Sequence, residues 1–446
     1  NIQKYALYQL RSLTEGETSF FTKCSYQFIA DSLFPQLLNI VLLHPDESMK
    51  YEASWVMINI LSDDDTDSIA KLFLDRNIMT SFENMLCNTA FDITFTEHIL
   101  WIIGNILVED VGSFITDNHF FIHNLEFWSN DNISKINMVS NTCVYWVIEL
   151  YVRKFNSANI ALLGNILINT LNALKVTIEY KNKIILTEIL AALKEFHEYP
   201  IFFDCLLANN IVSTILVCIT EVNMYGELIQ CIEILTLLLG SNNESHIHEI
   251  MQYPVLNKLI EIIQKASSKI NQPKVELEIK SIIRNTCLCL SNILASNDEK
   301  YIFDILSRED LFEDLIYILD NTTDNAVIYE VLFVFQNLFY SGNNAVKSEY
   351  IRRNYHKVFW KILKIEELSH KIKIIILEVM YQHLSFSEKI SNKTNIIKYE
   401  MDRDGIWDII ERNIYDPNNE INEAAHKLYD NFYNEEKFYN GPEDLY

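Results

Sequence analysis

The sequence predicts an all-α protein built from stacked helical repeats. Glycine and proline are rare, nine and seven among 446 residues, and apolar segments such as "ELIQCIEILTLLLG" are too long and continuous for strands. A short pattern also returns about every 45 residues, and self-similarity at a fixed period is the signature of a repeat architecture. With 49% hydrophobic residues, the chain can bury a large core.

The repeat is visible in the register of a few residues. A tryptophan marks the same position in "EASWVMINI", "EHILWIIGNI" and "TCVYWVIEL", where Trp55, Trp101 and Trp146 are separated by 46 and 45 residues. Further along, Asn292 and Asn337 stand at equivalent positions, 45 residues apart. A period near 45 in an all-helical chain is typical of armadillo and HEAT units, which stack into a superhelix.

Within each repeat, a second apolar helix is predicted to precede the long one. Proline opens it at Pro35 in "FPQLLNIVLL" and at Pro254 in "YPVLNKLIEII", where the missing proline N–H costs nothing in the first turn. The polar turns "HPDES" and "YDPNNE" then lead into long helices, and "KASSKINQPK" is interpreted as a surface insertion. Because no linker interrupts the pattern, we predict a single solenoid over residues 1–446 with about nine or ten repeats.

The charge of the chain limits its partners. It has 36 Lys and Arg residues against 61 Asp and Glu residues, a formal net charge of −25. This balance argues against direct binding of nucleic acid, which needs basic faces, and favours a basic partner. No segment is apolar over the roughly 18 residues of a membrane span. We therefore expect no membrane partner. The eight cysteines show no metal or disulfide spacing, so we expect reduced core thiols and no metal. We also expect no cofactor.

An asparagine follows the tryptophan by four residues in the first two helices, as Trp55 with Asn59 and Trp101 with Asn105. Residues four apart share one helix face, so the pairs would form a ladder along one surface of the superhelix, most usefully the concave one. An indole offers a cation–π surface for Lys or Arg, and an amide offers a donor and an acceptor to a peptide backbone. The ladder predicts a groove for an extended basic peptide.

Acidic residues at the ends of these helices would supply the counter-charge. They are the turn 63–65, which holds three aspartates, and the pair Glu109 and Asp110. An alternative stays open. Tryptophans at helical spacing are also typical of a packed core, and the asparagines could be helix-end or inter-repeat hydrogen-bonding groups.

These residues resemble importin α, the armadillo-repeat adaptor that binds nuclear localisation signals. "EASWVMINI" and "EHILWIIGNI" are similar to its first two groove helices, and Glu109 falls where the family has an acidic residue that pairs with the key signal lysine. The resemblance implies a right-handed armadillo-repeat superhelical solenoid that binds the Lys/Arg-rich signal peptides of cargo proteins. Its major groove would be lined by Trp55, Asn59, Trp101, Asn105, Glu109 and Trp146. Its minor groove would be lined by Asn292, Glu330, Phe333 and Asn337.

The sequence departs from the family's pattern in both grooves. Leu150 stands at the asparagine position of the third repeat, and Ala191 stands near the tryptophan position of the fourth. In the minor groove, Leu288 and Phe333 replace tryptophans, while Glu330 keeps an acidic position. A phenyl ring is a poorer cation–π partner than an indole, so we expect a half-retained major groove and a weakened minor groove.

The two ends of the chain carry further parts of the resemblance. Residues 1–30 are interpreted as an N-terminal capping repeat, and they lack the basic importin-β-binding segment with which the family normally begins. That segment either lies upstream of the sequence or has been lost. Residues 404–436 are similar to the family's last repeat, and 437–446 form a short acidic tail. In that family this region meets the export receptor, so importin β and an export receptor are expected partners of an adaptor.

Two functions follow from these observations. The first is an importin-α-like adaptor for nuclear protein import, located in the cytoplasm and nucleus. The second is a non-transport armadillo scaffold that contacts neighbouring subunits of a large assembly in the cytoskeleton or cilium. No HExxH motif, phosphate-binding glycine loop or GxSxG elbow occurs, so we do not expect an enzyme.

Overall fold

The computed structural model describes residues 2–15, 28–62, 81–82, 85, 93–108, 146–147, 150, 189–194, 200–208, 210–221, 224–241, 243–390 and 395–433. All regular structure in these residues is helical, as predicted. The chain divides into two compact units, Asn1–Ser241 and Asn242–Tyr446, called the N-terminal and C-terminal units below. The predicted single solenoid over 1–446, with its count of repeats, stays a prediction.

Long helices pack side by side in the N-terminal unit. Its described helices are α1 (Ile2–Thr14), α2 (Phe34–Leu43), α3 (Glu47–Leu61), α4 (Ile93–Val108), α5 (Pro200–Ala208), α6 (Ile211–Glu221) and α7 (Tyr225–Leu239). A π-helical turn, Ile29–Leu33, leads directly into α2. Helix α3 lies against both α1 and α4, so these three long helices form a row.

The C-terminal unit repeats one arrangement four times, in which two shorter helices precede a long one. The first two repeats are α8 (Glu244–Ile250), α9 (Val255–Ser267), α10 (Glu276–Ala295), then α11 (Glu299–Leu306), α12 (Glu309–Asp320), α13 (Asn325–Ser341). The last two are α14 (Asn344–Arg352), α15 (Lys357–Leu363), α16 (His370–Ile390), then α17 (Ile396–Arg403), α18 (Ile406–Asn413), α19 (Asn419–Phe432). Three helices per repeat are typical of armadillo rather than HEAT units.

The predicted punctuation between helices is confirmed. In "HPDES", α2 ends and the Asp46 carboxylate accepts a hydrogen bond from the backbone N–H of Ser48, which caps α3. In "YDPNNE", Asn418 caps α19 in the same way. Pro35 lies in the first turn of α2, and Pro254 lies immediately before α9.

The stretch "KASSKINQPK" connects α9 to α10, and its residues 271–274 are exposed, as expected of a surface insertion. The described cysteines are buried, which confirms the predicted core positions of Cys218, Cys231, Cys287 and Cys289. Within the part of the chain that the structure describes, the helices are too short or too polar to cross a bilayer.

Candidate peptide-binding surface

Tryptophans from successive long helices meet in the N-terminal unit. The ring centroids of Trp55 on α3 and Trp101 on α4 lie 5.6 Å apart, with an angle of 60° between the rings. The His98 ring lies 4.7 Å from Trp55, edge to face. Both indoles are partly exposed. The predicted register therefore brings these two side chains together on one surface, which we call the tryptophan surface.

Trp146, the third tryptophan in register, packs onto the backbone of α4. A Cβ atom added at Gly104 would overlap the Trp146 ring, with Cε3 only 2.6 Å away. Only the absence of a side chain lets the indole approach α4 so closely. Gly104 directly precedes Asn105, so the third tryptophan covers the helix that carries the second pair.

Substituting Gly104 with alanine is expected to destabilise the N-terminal unit by about 1–3 kcal/mol, because the new methyl group must displace the Trp146 ring. Gly226→Ala is a matched control, since a Cβ there meets nothing within 4 Å. We expect the control to be neutral or slightly stabilising, because alanine is the better helix former. Differential scanning calorimetry measures both changes. Equal unfolding temperatures for the two variants would contradict the packing of Trp146 on Gly104.

The asparagines link one long helix to the next. The Asn105 side chain is buried and its Nδ2 donates to the backbone oxygen of Ile58, at 3.3 Å. In the C-terminal unit, Asn337 Nδ2 donates to the backbone oxygen of Ser291, at 3.2 Å. Ile58 and Ser291 directly precede Asn59 and Asn292, so the two bonds are equivalent. These asparagines make inter-repeat hydrogen bonds, as the alternative interpretation expected.

Helix α1 lies over the first position of the tryptophan surface. The guanidinium carbon of Arg11 lies 4.8 Å from the centre of the Trp55 ring, and its Nη1 lies 3.6 Å from Glu52 Oε2. Asn59 Nδ2 donates to the Thr14 hydroxyl oxygen at 3.0 Å. A cation of the chain itself therefore covers the Trp55 ring that was predicted to contact a peptide side chain, with Glu52 beside it.

A second candidate site is an open pocket in the C-terminal unit, with a volume of about 400 Å³. It is lined by Arg284, Asn285, Leu288, Asn325, Ala326, Tyr329, Glu330, Ser369 and Lys371. The predicted residue Phe333 stacks on Tyr329, with ring centroids 5.7 Å apart and 13° between the planes. Lys371 Nζ lies 4.1 Å from the centre of the Tyr329 ring, so here too an internal cation covers an aromatic ring. Asn292 is half-buried on α10.

The same three-residue motif occurs in both units, and of its six residues the sequence analysis missed one, Glu52. A glutamate stands three residues before the aromatic residue and seven before the asparagine, as Glu52 with Trp55 and Asn59, and as Glu330 with Phe333 and Asn337. In both glutamates, Oε2 is buried and has no hydrogen-bond partner. Spacing of three and seven keeps all members on one helix face, so the register could have revealed Glu52.

Burial decides the charge of the groups on these surfaces. At Trp101 the glutamate position is occupied by His98, whose pKa falls to about 4 because burial and the nearby Arg11 charge disfavour protonation, so it is neutral near pH 7. Burial raises the pKa of Glu330, and the positive charges of Lys371 and Arg284 oppose that rise. A buried carboxylate oxygen without a donor is costly, so Glu330 favours a ligand that carries positive charge.

Several predicted features lie outside the described residues. They are Glu109, the acidic turn 63–65, Asp110 and the tail 437–446. Leu150 and Ala191 are helical, as expected of residues in long helices.

The three-helix repeats and the packing of successive long helices define the class of protein: the chain has an armadillo-repeat fold. The crystal structure of an engineered protein is similar over 96% of this chain and 94% of that chain, at 14% identity and a TM-score of 0.68. A designed armadillo repeat protein is similar over 59% of this chain and 97% of that chain, at 14% identity and a TM-score of 0.44. Another, in complex with the peptide (KR)4, is similar over 60% of this chain and 98% of that chain, at 15% identity and a TM-score of 0.45. No family model and no curated protein matches the sequence.

Proposed function

We propose that this protein is an importin-α-like adaptor that binds extended Lys/Arg-rich peptides, of the kind that act as nuclear localisation signals. The observation that supports this most is the repeated motif of glutamate, aromatic residue and asparagine on the long helices. In each copy a buried carboxylate oxygen lacks a hydrogen-bond partner beside an aromatic ring. A lysine or arginine of a peptide could lay its stem on the ring and donate to the carboxylate.

The position of Arg11 supports the same chemistry. Its guanidinium lies over Trp55 and beside Glu52, so the local geometry suits an arginine side chain. A net charge of −25 would also attract basic segments over a distance. In this proposal the site residues are the predicted ones, with Glu52 added. The cargo proteins, importin β and an export receptor are proposed partners, and the cytoplasm and nucleus are the proposed location.

The proposal is tested by fluorescence anisotropy with a labelled Lys/Arg-rich peptide, at low and at physiological salt. We expect a dissociation constant in the micromolar range or below, which weakens as salt screens the charges. Trp101→Ala should weaken binding about tenfold or more, because it removes a wall of the tryptophan surface. Tyr415→Ala is the control, since Tyr415 is an exposed aromatic residue elsewhere in the chain. Circular dichroism confirms that each variant is folded.

One observation favours the second candidate, a scaffold within a large assembly. The chain's own cations already cover aromatic rings in both units, Arg11 on Trp55 and Lys371 on Tyr329. Because these rings already have a cation over them, they do not require the basic side chain of a peptide. If the folded wild-type protein binds no basic peptide, the adaptor is excluded and the scaffold remains.

A further inference from the structure

The pocket in the C-terminal unit carries charges of both signs. Arg284 on α10 and Lys371 on α16 line it together with Glu330 on α13. Tyr329 and Leu288 supply apolar wall, and the cavity of about 400 Å³ is large enough for more than one peptide side chain. The carboxylate thus lies in one pocket with two cations that come from two other long helices.

Both cations are available to a ligand. Arg284 and Lys371 are exposed, and among the residues that the structure describes neither forms a salt bridge with a carboxylate. Asp324, which directly precedes the lining residue Asn325, is paired with Lys280, whose Nζ lies 3.5 Å from its carboxylate. Lys371 lies on the Tyr329 ring, which holds its ammonium group at the pocket.

Glu330, in contrast to the two cations, favours a positively charged partner. Its Oε2 is inaccessible to water and lacks a hydrogen-bond partner, although the residue lines the pocket. A ligand cannot reach this atom directly, but a cationic group in the pocket would offset the negative charge of the carboxylate. A ligand that is basic along its whole length would offset the charge of Glu330 but would also bring positive charge against Arg284 and Lys371, and such like-charge contacts select against a partner.

From this pattern we infer that the pocket selects peptide segments in which one lysine or arginine is flanked by acidic residues, with the basic side chain at Glu330 and the acidic ones at Arg284 and Lys371. This inference rests on the proposed function, since it assumes that an extended peptide binds along the long helices. It differs from a purely basic specificity, and it makes Arg284 and Lys371 the residues that determine specificity in the C-terminal unit.

The test compares three labelled peptides of equal length on the full chain. The first has one lysine between aspartates, the second is a scramble of identical composition with the lysine at one end, and the third is the Lys/Arg-rich peptide. We expect wild-type protein to bind the flanked peptide about fivefold or more tighter than its scramble. In the double variant Arg284→Glu, Lys371→Glu this preference should vanish, and affinity for the Lys/Arg-rich peptide should rise. Lys274→Glu reverses an exposed charge outside the pocket and serves as control.

Each outcome decides the inference. A preference for the flanked peptide that is lost in the double variant and kept in Lys274→Glu supports it. Equal affinities for the flanked and scrambled peptides, or a preference that survives charge reversal, overturn it; if the Lys/Arg-rich peptide still binds, the proposed function stands. Binding of none of the three peptides by folded protein overturns both.

Discussion

Changing Asn105 to aspartate is expected to destabilise the N-terminal unit by about 2–4 kcal/mol, whereas the same change at Asn59 should cost less than about 1 kcal/mol. Asn105 Nδ2 donates to the backbone oxygen of Ile58 in a buried position. A backbone carbonyl can only accept, so an aspartate would place a charged acceptor against another acceptor. The result is an unpaired buried charge between two adjacent long helices.

Asn59 is the matched control because its partner is different. Its Nδ2 donates to the hydroxyl oxygen of Thr14, and a hydroxyl can also donate. The Thr14 hydroxyl donates to the backbone oxygen of Arg11, which also accepts from the backbone N–H of Glu15. In Asn59→Asp this hydroxyl can turn and donate to the new carboxylate, and the Arg11 oxygen keeps its bond from Glu15. Calorimetric or chemical unfolding measures both variants. A loss at Asn59 as large as that at Asn105 would show that the direction of the bond is unimportant, contrary to this account.

Changing Glu330 to glutamine is expected to have opposite effects on stability and binding. Burial raises the pKa of Glu330, so the free energy of unfolding is highest below the unfolded-state pKa and falls as pH rises through the folded-state pKa, where the buried carboxyl group ionises. Glutamine removes that charge at nearly constant shape, and we expect a gain of up to about 1 kcal/mol in unfolding free energy. Under the proposed function, the affinity for a Lys/Arg-rich peptide should fall about tenfold, because the carboxylate no longer faces the basic side chain.

Calorimetry and fluorescence anisotropy on the same preparation test this pair of effects. Glu278→Gln is a suitable control, because it removes one negative charge from an exposed position on α10, the long helix that packs against α13. We expect it to change neither quantity appreciably. Higher stability with unchanged affinity would show that Glu330 lies outside the peptide site. Lower stability would show that the carboxylate has a structural partner, which would contradict its unpaired state.

The candidate surfaces were predicted from the sequence only in part. The spacing of 46 residues placed Trp55 and Trp101 in register, and the structure brings their rings together. The same reasoning could have found Glu52, three residues before Trp55, by comparison with Glu330 and Phe333. It could not have found Arg11 or Lys371, because neither belongs to the repeated pattern.

The sequence by itself determined the class of structure: helical repeats, their period, the polar turns between helices and the apolar faces that become the core. These features depend on local periodicity and turn chemistry, which a single chain displays directly. Only the tertiary structure decided which group each polar side chain meets. Asn105 binds the carbonyl of Ile58, and Arg11 covers Trp55, because stacking sets the distance and direction between helices more than 40 residues apart. Periodicity specifies the face of a helix, whereas the partner across that face depends on how the neighbouring helix packs.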